Sequence, residues 1–353
     1  MSKYKISVVL PCYKVAQYIE RCMTSILNQD FEGYEVIIVN DGSPDNLLEI
    51  CEQWKNLPNF KILSFPNQGI SQARNEGLMV AQGKYIYFLD PDDYIEKGLF
   101  SLCYQLLESH QADAIRFGFK TTIVTTQQNW LSNHKNYIYT SQQIINELLP
   151  KVIGYSKEEI KSIGGKKEFA AVWQFIYKKD VLINNKIFFP KGVTLSEDKI
   201  FNSHFFCYAK KIININNIFY NYFIKPNGLM YGSLNNPIGL IKNKVDGVIE
   251  RERLREIYQT EHHIDIFKLY EGSFILSSLE LCVKLTSVSY IKGYKSLHQY
   301  LSLPAVKNAF KNININDNLP LKIKIPIFCV KYNLTRLLFT GVYLLQKLKI
   351  KLT

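Results

Sequence analysis

Residues 83–95 read GKYIYFLDPDDYI. Within them Tyr85–Leu89 is a short, unbroken apolar run, rich in aromatic residues, which predicts a strand buried on both faces. The strand runs straight into Asp90-Pro91-Asp92-Asp93. Three carboxylates in four residues at the end of a buried strand repel one another unless a counter-charge is present. A divalent cation is one solution, since hard metals take carboxylate oxygens, and it would also neutralise a departing diphosphate. An acidic turn that caps the next helix is the plainer alternative. The stretch argues against an EF-hand, because its glycine and distal glutamate are missing.

Upstream the same kind of strand recurs at Lys5–Leu10, stopped by Pro11, at Glu35–Val39 and at Phe60–Ser64. Helical periodicity lies between them. Residues 15–29 place Val15, Ile19, Cys22, Met23, Ile26 and Leu27 on one face, and further helices are expected at about 45–55 and at Ser71–Ala81. Buried strands alternating with helices predict an α/β fold with a parallel sheet covered on both sides. Such sheets bind ligands beyond the carboxyl ends of their strands, where Asp41, Asp90, Asp92 and Asp93 fall. Asp41, in the turn Asn40-Asp41-Gly42-Ser43, is placed to accept from a nucleotide base. In Asn67-Gln68-Gly69-Ile70-Ser71-Gln72-Ala73-Arg74-Asn75, Ser71 is the expected N-cap. Arg74 would face a phosphate or one of the aspartates, or else solvent.

Beyond about residue 120 the pattern loosens, with a helix expected near Gln142–Leu149. Periodicity returns at Phe169–Tyr177 and Glu197–Tyr208, residues 235–317 read as mainly helical, and 311–318 (KNININDN) as a linker. The seven cysteines are scattered and form no C-x-x-C pair, which argues against zinc and disulfides and for a reducing cytoplasm. The apolar start is too short for a signal peptide, and no apolar stretch is long enough to span a membrane. The net charge is +12, and no acidic residue follows Asp317, whereas Lys322, Lys324, Lys331, Arg336, Lys347, Lys349 and Lys351 do. With leucines between these cations, residues 318–353 read as a basic amphipathic segment on an anionic membrane surface. A terminal helix covering a core edge is the alternative. No recognition motif supports nucleic-acid binding. His262-His263 reads as surface; Tyr220, Tyr222 and Tyr231 are placed to include a sugar-stacking platform, with most of the aromatic residues expected in the core.

Taken in order, VVLPCYKVAQYIERCMTSILNQ, EVIIVNDGSPD, NQGISQARNEGL and GKYIYFLDPDDYI resemble glycosyltransferase family 2, the inverting group with the GT-A fold. The resemblance covers residues ~5–118. It implies a GT-A domain with a parallel-rich mixed sheet over 1–234, a helical extension over 235–317 and the basic tail over 318–353. It implies that Pro11, Cys12 and Tyr13 border the base, that Asp41 bonds it, and that it is most often uracil. Asp92 would ligate Mn²⁺ or Mg²⁺, with Asp90 near the ribose or the metal and Asp93 shaping the sugar site. Gly69, Arg74 and Trp173 complete the expected nucleotide-sugar contacts. AAVWQFIYKKDVL and FFPKGVTLSEDKIF look like the pattern of capsule and lipopolysaccharide members, in which Asp198 would be the general base, with Glu197 beside it. Helix-dipole complementarity is the alternative for this pair. Gln174 stands where many relatives have Asn. Without a Q-x-x-R-W motif the expectation is transfer of a single sugar, from a UDP-sugar to a saccharide or lipid-linked oligosaccharide, at the inner membrane face. A catalytically silent sugar-nucleotide or glycan-binding module on the same fold is the rival. A nucleotidyltransferase is disfavoured, because PCYKVAQYIE lacks the glycines of a phosphate loop.

Overall fold

The computed structural model describes residues 2–123, 126–131, 136–162, 171–224, 236–314 and 319–348. The chain divides into two compact units, Met1–Leu149 with Phe169–Pro226, and Pro150–Glu168 with Asn227–Thr353. The expected boundary at 234/235 lies outside the described residues, as does Tyr231.

The first unit is built on β1 (Tyr4–Cys12), β2 (Tyr34–Asp41), β3 (Phe60–Phe65) and β4 (Gly83–Phe88), in the spatial order β3-β2-β1-β4 and parallel throughout. The order reflects burial: β1 and β2 are covered on both faces over nearly their whole length. Side chains alternate across the sheet. Ile6, Val8 and Leu10 meet helix α1 (Ala16–Leu27), α2 (Leu47–Cys51) and α4 (Leu99–His110), while Val9 and Val39 meet α3 (Ile70–Val80). The approach of α3 is close enough that a Cβ on Gly77 would stand 2.3 Å from Val9 Cγ1.

The mixed half of the sheet continues β4-β9-β6-β10-β5. β5 is Tyr94–Ile95, β6 is Ala114–Ile123, β9 is Phe175–Lys178 and β10 is Lys211–Ile224. β9 runs antiparallel between β4 and β6, and β10 pairs parallel with β6 and antiparallel with β5. Residues 126–131 (β7) and 137–140 (β8) pair with β6 and β10. Two further helices, α7 (Lys179–Asn184) and α8 (Glu197–Tyr208), follow β9, after α5 (Ser141–Gln143) and a π-helical turn that leads into α6 (Leu149–Val152), whose residues from Pro150 on belong to the second unit.

Three local expectations are corrected. Leu27 is 40% exposed and off the buried face of α1. The second helix is shortened to Leu47–Cys51 plus a 3-10 turn, because Asp45 is outside it, accepting from Ala16 N at 2.9 Å and so capping α1. Gly69, with φ +92°, is the N-cap of α3, and Ser71 Oγ instead donates to Val193 O.

The second unit is helical: α9 (Pro237–His262), α10 (Phe267–Lys284), α11 (Tyr290–Leu301), α12 (Pro304–Asn312), α13 (Leu321–Lys331) and α14 (Thr335–Lys347). Its core includes Tyr258, Tyr270, Phe274, Leu281, Tyr300 and Phe339. The predicted linker begins as the last turn of α12, where Asn312 donates to Glu271; residues 315–318 are outside the described set. Among the described residues no helix is long and apolar enough to cross a membrane.

Candidate active site

The carboxyl ends of β1, β2 and β4 converge on loops that are laced together. Lys14 N donates to Ser43 Oγ at 2.7 Å, and Asn67 Nδ2 to Asp41 O at 3.1 Å. Asp41 is buried and receives Gln68 N at 2.7 Å on one oxygen and Gly69 N at 2.9 Å on the other. Each oxygen keeps a further lone pair. Pro11 is buried, and Cys12 is enclosed with its thiol on Leu10 O, so Tyr13, 40% exposed, is the side chain that this strand end presents.

Arg74 organises the acids. Its side chain is 2% exposed, with Nη2 2.9 Å from Asp90 and Nη1 2.8 Å from Asp198 and 3.2 Å from Glu197. Burial works against the guanidinium's charge, and Asp198, Asp90 and Glu197 outweigh it, raising its pKa. Of the partners weighed from sequence, an aspartate is therefore the one it meets. The guanidinium also lies 5.0 Å from the Phe189 ring centre. Asn75, the next residue on α3, exchanges two hydrogen bonds with the Phe189 backbone. Behind them Phe88, Phe189 and Phe201 pack ring to ring, fixing α8 on the sheet.

Glu197 and Asp198 open α8, preceded by Ser196 in the left-handed region (φ +70°). Asp198 Oδ2 receives Val172 N at 3.2 Å. Burial, then Asp198's charge, pushes Glu197 up to about 8 against the pull of Arg74. Asp90 is raised to about 6 by burial and by Asp92 and Asp198, with Arg74 opposing. Neighbouring carboxylates held in different protonation states are a pattern of acid–base sites.

Asp92 is half-buried, and its backbone carbonyl receives Arg21 Nη2 at 2.6 Å. Arg21 in turn lies over the rings of Phe223 (4.4 Å) and Tyr94 (5.0 Å). Asp93 points the other way. It is 1% exposed, bonded by Tyr220 Oη and by Phe223 N at 2.7 Å, and burial raises its pKa, so its place is to clamp β10 to the turn. Trp173 is buried and stacks on Tyr220 (4.0 Å) and Tyr222 (5.6 Å). Burial, and then the Asp93, Asp90 and Asp92 charges, push Tyr222 up to about 12. Arg21, Asn75 and Phe189 were not singled out by sequence; the R-N pair on α3 was the available signal.

Among the described residues no group of three or more Asp, Glu, His or Cys side chains is placed to hold a metal ion. The donors that are present, Asp92 and Asp90, fit instead a hard cation that fills its shell with phosphate oxygens and water. With Glu197 holding its proton, the single positive charge of Arg74 faces the two aspartates Asp90 and Asp198, and the remaining negative charge favours such a cation.

Acids beyond the carboxyl ends of a doubly covered parallel sheet lie where α/β folds bind their ligands. Residues 7–184 match glycosyl transferase family 2. The chain is 30% identical over 225 residues to the uncharacterized glycosyltransferase EpsJ of Bacillus subtilis, covering 64% of this chain and 62% of that one. It is 27% identical over 261 residues to the cholesterol galactosyltransferase of Borreliella burgdorferi, covering 71% and 69%. The crystal structure of S. aureus TarS 1-349 in complex with UDP-GlcNAc superposes with a TM-score of 0.58 at 18% identity, over 99% of this chain and 93% of that one. The chain belongs to glycosyl transferase family 2, and its fold is GT-A with a helical C-terminal region.

Proposed function

We propose that the enzyme transfers a single sugar, with inversion, from a UDP-sugar to a hydroxyl of a saccharide or lipid-linked oligosaccharide in bacterial surface-polysaccharide synthesis. The observation that carries the reading is Arg74, which gathers Asp90 of the turn after β4 and Asp198 at the start of α8 on one guanidinium. The UDP-GlcNAc complex of TarS supports uridine as the nucleoside, and the buried free thiols support a reducing cytoplasm.

In this reading Asp41 faces the base with its remaining lone pairs, and Tyr13 borders it. Asp198, oriented by Arg74 and the Val172 amide, takes the proton of the acceptor hydroxyl. The acceptor oxygen bonds to the anomeric carbon while the bond from that carbon to the diphosphate breaks, and its electron pair leaves with UDP. Glu197 keeps its proton near neutral pH, so Asp198 is the base. Mn²⁺ or Mg²⁺, held by Asp92 and Asp90, would supply charge stabilisation to the diphosphate.

The test is calorimetric binding of UDP, GDP and dTDP with and without Mn²⁺, followed by UDP release from a panel of UDP-sugars with saccharide acceptors. Metal-dependent UDP binding with turnover is expected. Binding without turnover on any donor would make the chain a sugar-nucleotide-binding module, and no binding at all would sink the reading.

A further inference from the structure

Helix α13 is apolar on two faces, and only one is covered. Ile323, Ile327 and Cys329 are buried in the second unit. Leu321 (74% exposed), Ile325 (56%) and Phe328 (45%), with Tyr332 (60%) just beyond, recur at spacings of four, three and four, and so line one side of the helix in solvent. The same division marks α14. Phe339 is fully buried against Tyr290 and Tyr294, while Leu337, Leu344 and Leu348 are more than half exposed. Gly341 lies between them with open space beside it. A helix apolar all round is ordinarily buried or embedded in lipid, and an exposed apolar row of this length marks an interaction surface.

The charge chooses the occupant. Lys324, Arg336 and Lys347 stand on the same two helices, and the sequence places no acidic residue from 318 to 353. A second copy of this face would bring like charges together, whereas anionic headgroups meet the cations while acyl chains take the leucines. We infer that α13 and α14 form a docking face for an anionic lipid bilayer, with Leu321, Ile325, Phe328, Leu337, Leu344 and Leu348 entering the headgroup boundary. The inference stands independently of the donor site.

The experiment is flotation of the full chain with phosphatidylcholine vesicles and with vesicles of phosphatidylcholine mixed equally with phosphatidylglycerol. Co-flotation with the mixed vesicles only is expected, with release in about 1 M salt, where the screening length falls to about 3 Å. The exposed double variant Ile325→Glu/Leu344→Glu should lose flotation while keeping its circular dichroism. Lys324→Gln/Arg336→Gln should weaken it about fivefold per cation, the factor that ~1 kcal/mol gives. Absence of flotation, equal binding to both vesicle types, or binding that the variants leave unchanged would overturn the proposal. So would a dimer in light scattering that the Glu variant dissolves.

Discussion

Arg21 Nη2 donates to the carbonyl of Asp92 at 2.6 Å, and its guanidinium lies over Phe223, whose own amide donates to Asp93. The turn that carries Asp90, Asp92 and Asp93 is thus held from two sides, by α1 and by β10. Replacing Arg21 by Ala should leave the fold intact and weaken Mn²⁺-dependent UDP binding by about tenfold, the cost of one charged hydrogen bond. Lys, which retains charge and a donor, should recover part of it. Calorimetry on both variants measures this, and unchanged affinity in Arg21→Ala would detach the clamp from the donor site.

Asp198→Asn removes the carboxylate proposed as proton acceptor but keeps the shape and a bond to Arg74. Turnover should fall by roughly 10²–10⁴-fold, the range for a lost general base, with UDP affinity nearly unchanged. Asp92→Asn should do the reverse in order of events: metal-dependent UDP binding disappears first, and turnover with it. Comparing kcat and Kd for the two variants separates base from metal ligand.

The raised Glu197 gives a pH signature in the ligand-free protein. The unfolded chain releases this proton near the ordinary glutamate value of 4.5, whereas the folded protein holds it until about 8. Between those limits the unfolded state binds fewer protons, so stability falls as pH rises and levels off above 8. Each unit of separation is worth about 1.4 kcal/mol, so a decline on the order of a few kcal/mol is expected. Glu197→Gln should flatten it, as urea melts at several pH values across this window would show.

Gly77→Ala tests the packing of α3. Helix propensity favours alanine by about 1 kcal/mol, but the new methyl carbon would sit 2.3 Å from Val9 Cγ1 and 3.2 Å from Val39 Cγ2, both on buried strands. Overpacking costs typically about 1–3 kcal/mol, so the variant should be less stable in urea. A more stable Gly77→Ala protein would show that α3 can move off the sheet.

What the sequence makes legible follows from locality. β1, β2 and β4 announce themselves because a strand buried on both faces must be apolar throughout, and the turn after β4 because its acids are adjacent. Arg74 carries no such mark. Its partners at 197 and 198 lie 123 and 124 residues away, and tertiary contacts such as the packing of Phe88, Phe189 and Phe201 bring them together. Asp93 looks like its neighbours Asp90 and Asp92 in sequence, yet the turn closed by Asp93 N on Asp90 O carries its side chain to Tyr220 and the Phe223 amide. The N-cap at Gly69 was hidden because side-chain preference points to Ser71, while the backbone needs a residue at positive φ.

The separation of Arg74 from Asp198 also governs when the centre can form. During synthesis β1 to β4 and α3 are complete long before residue 198 leaves the ribosome, and long-range pairings of this kind form late. Until α8 docks, a buried arginine lacks two of its three acids. The Arg74 cluster is therefore a product of a late closing contact of its unit, and an amino-terminal fragment ending before α8 would carry the loops after β1, β2 and β4 without a settled charge balance to hold them.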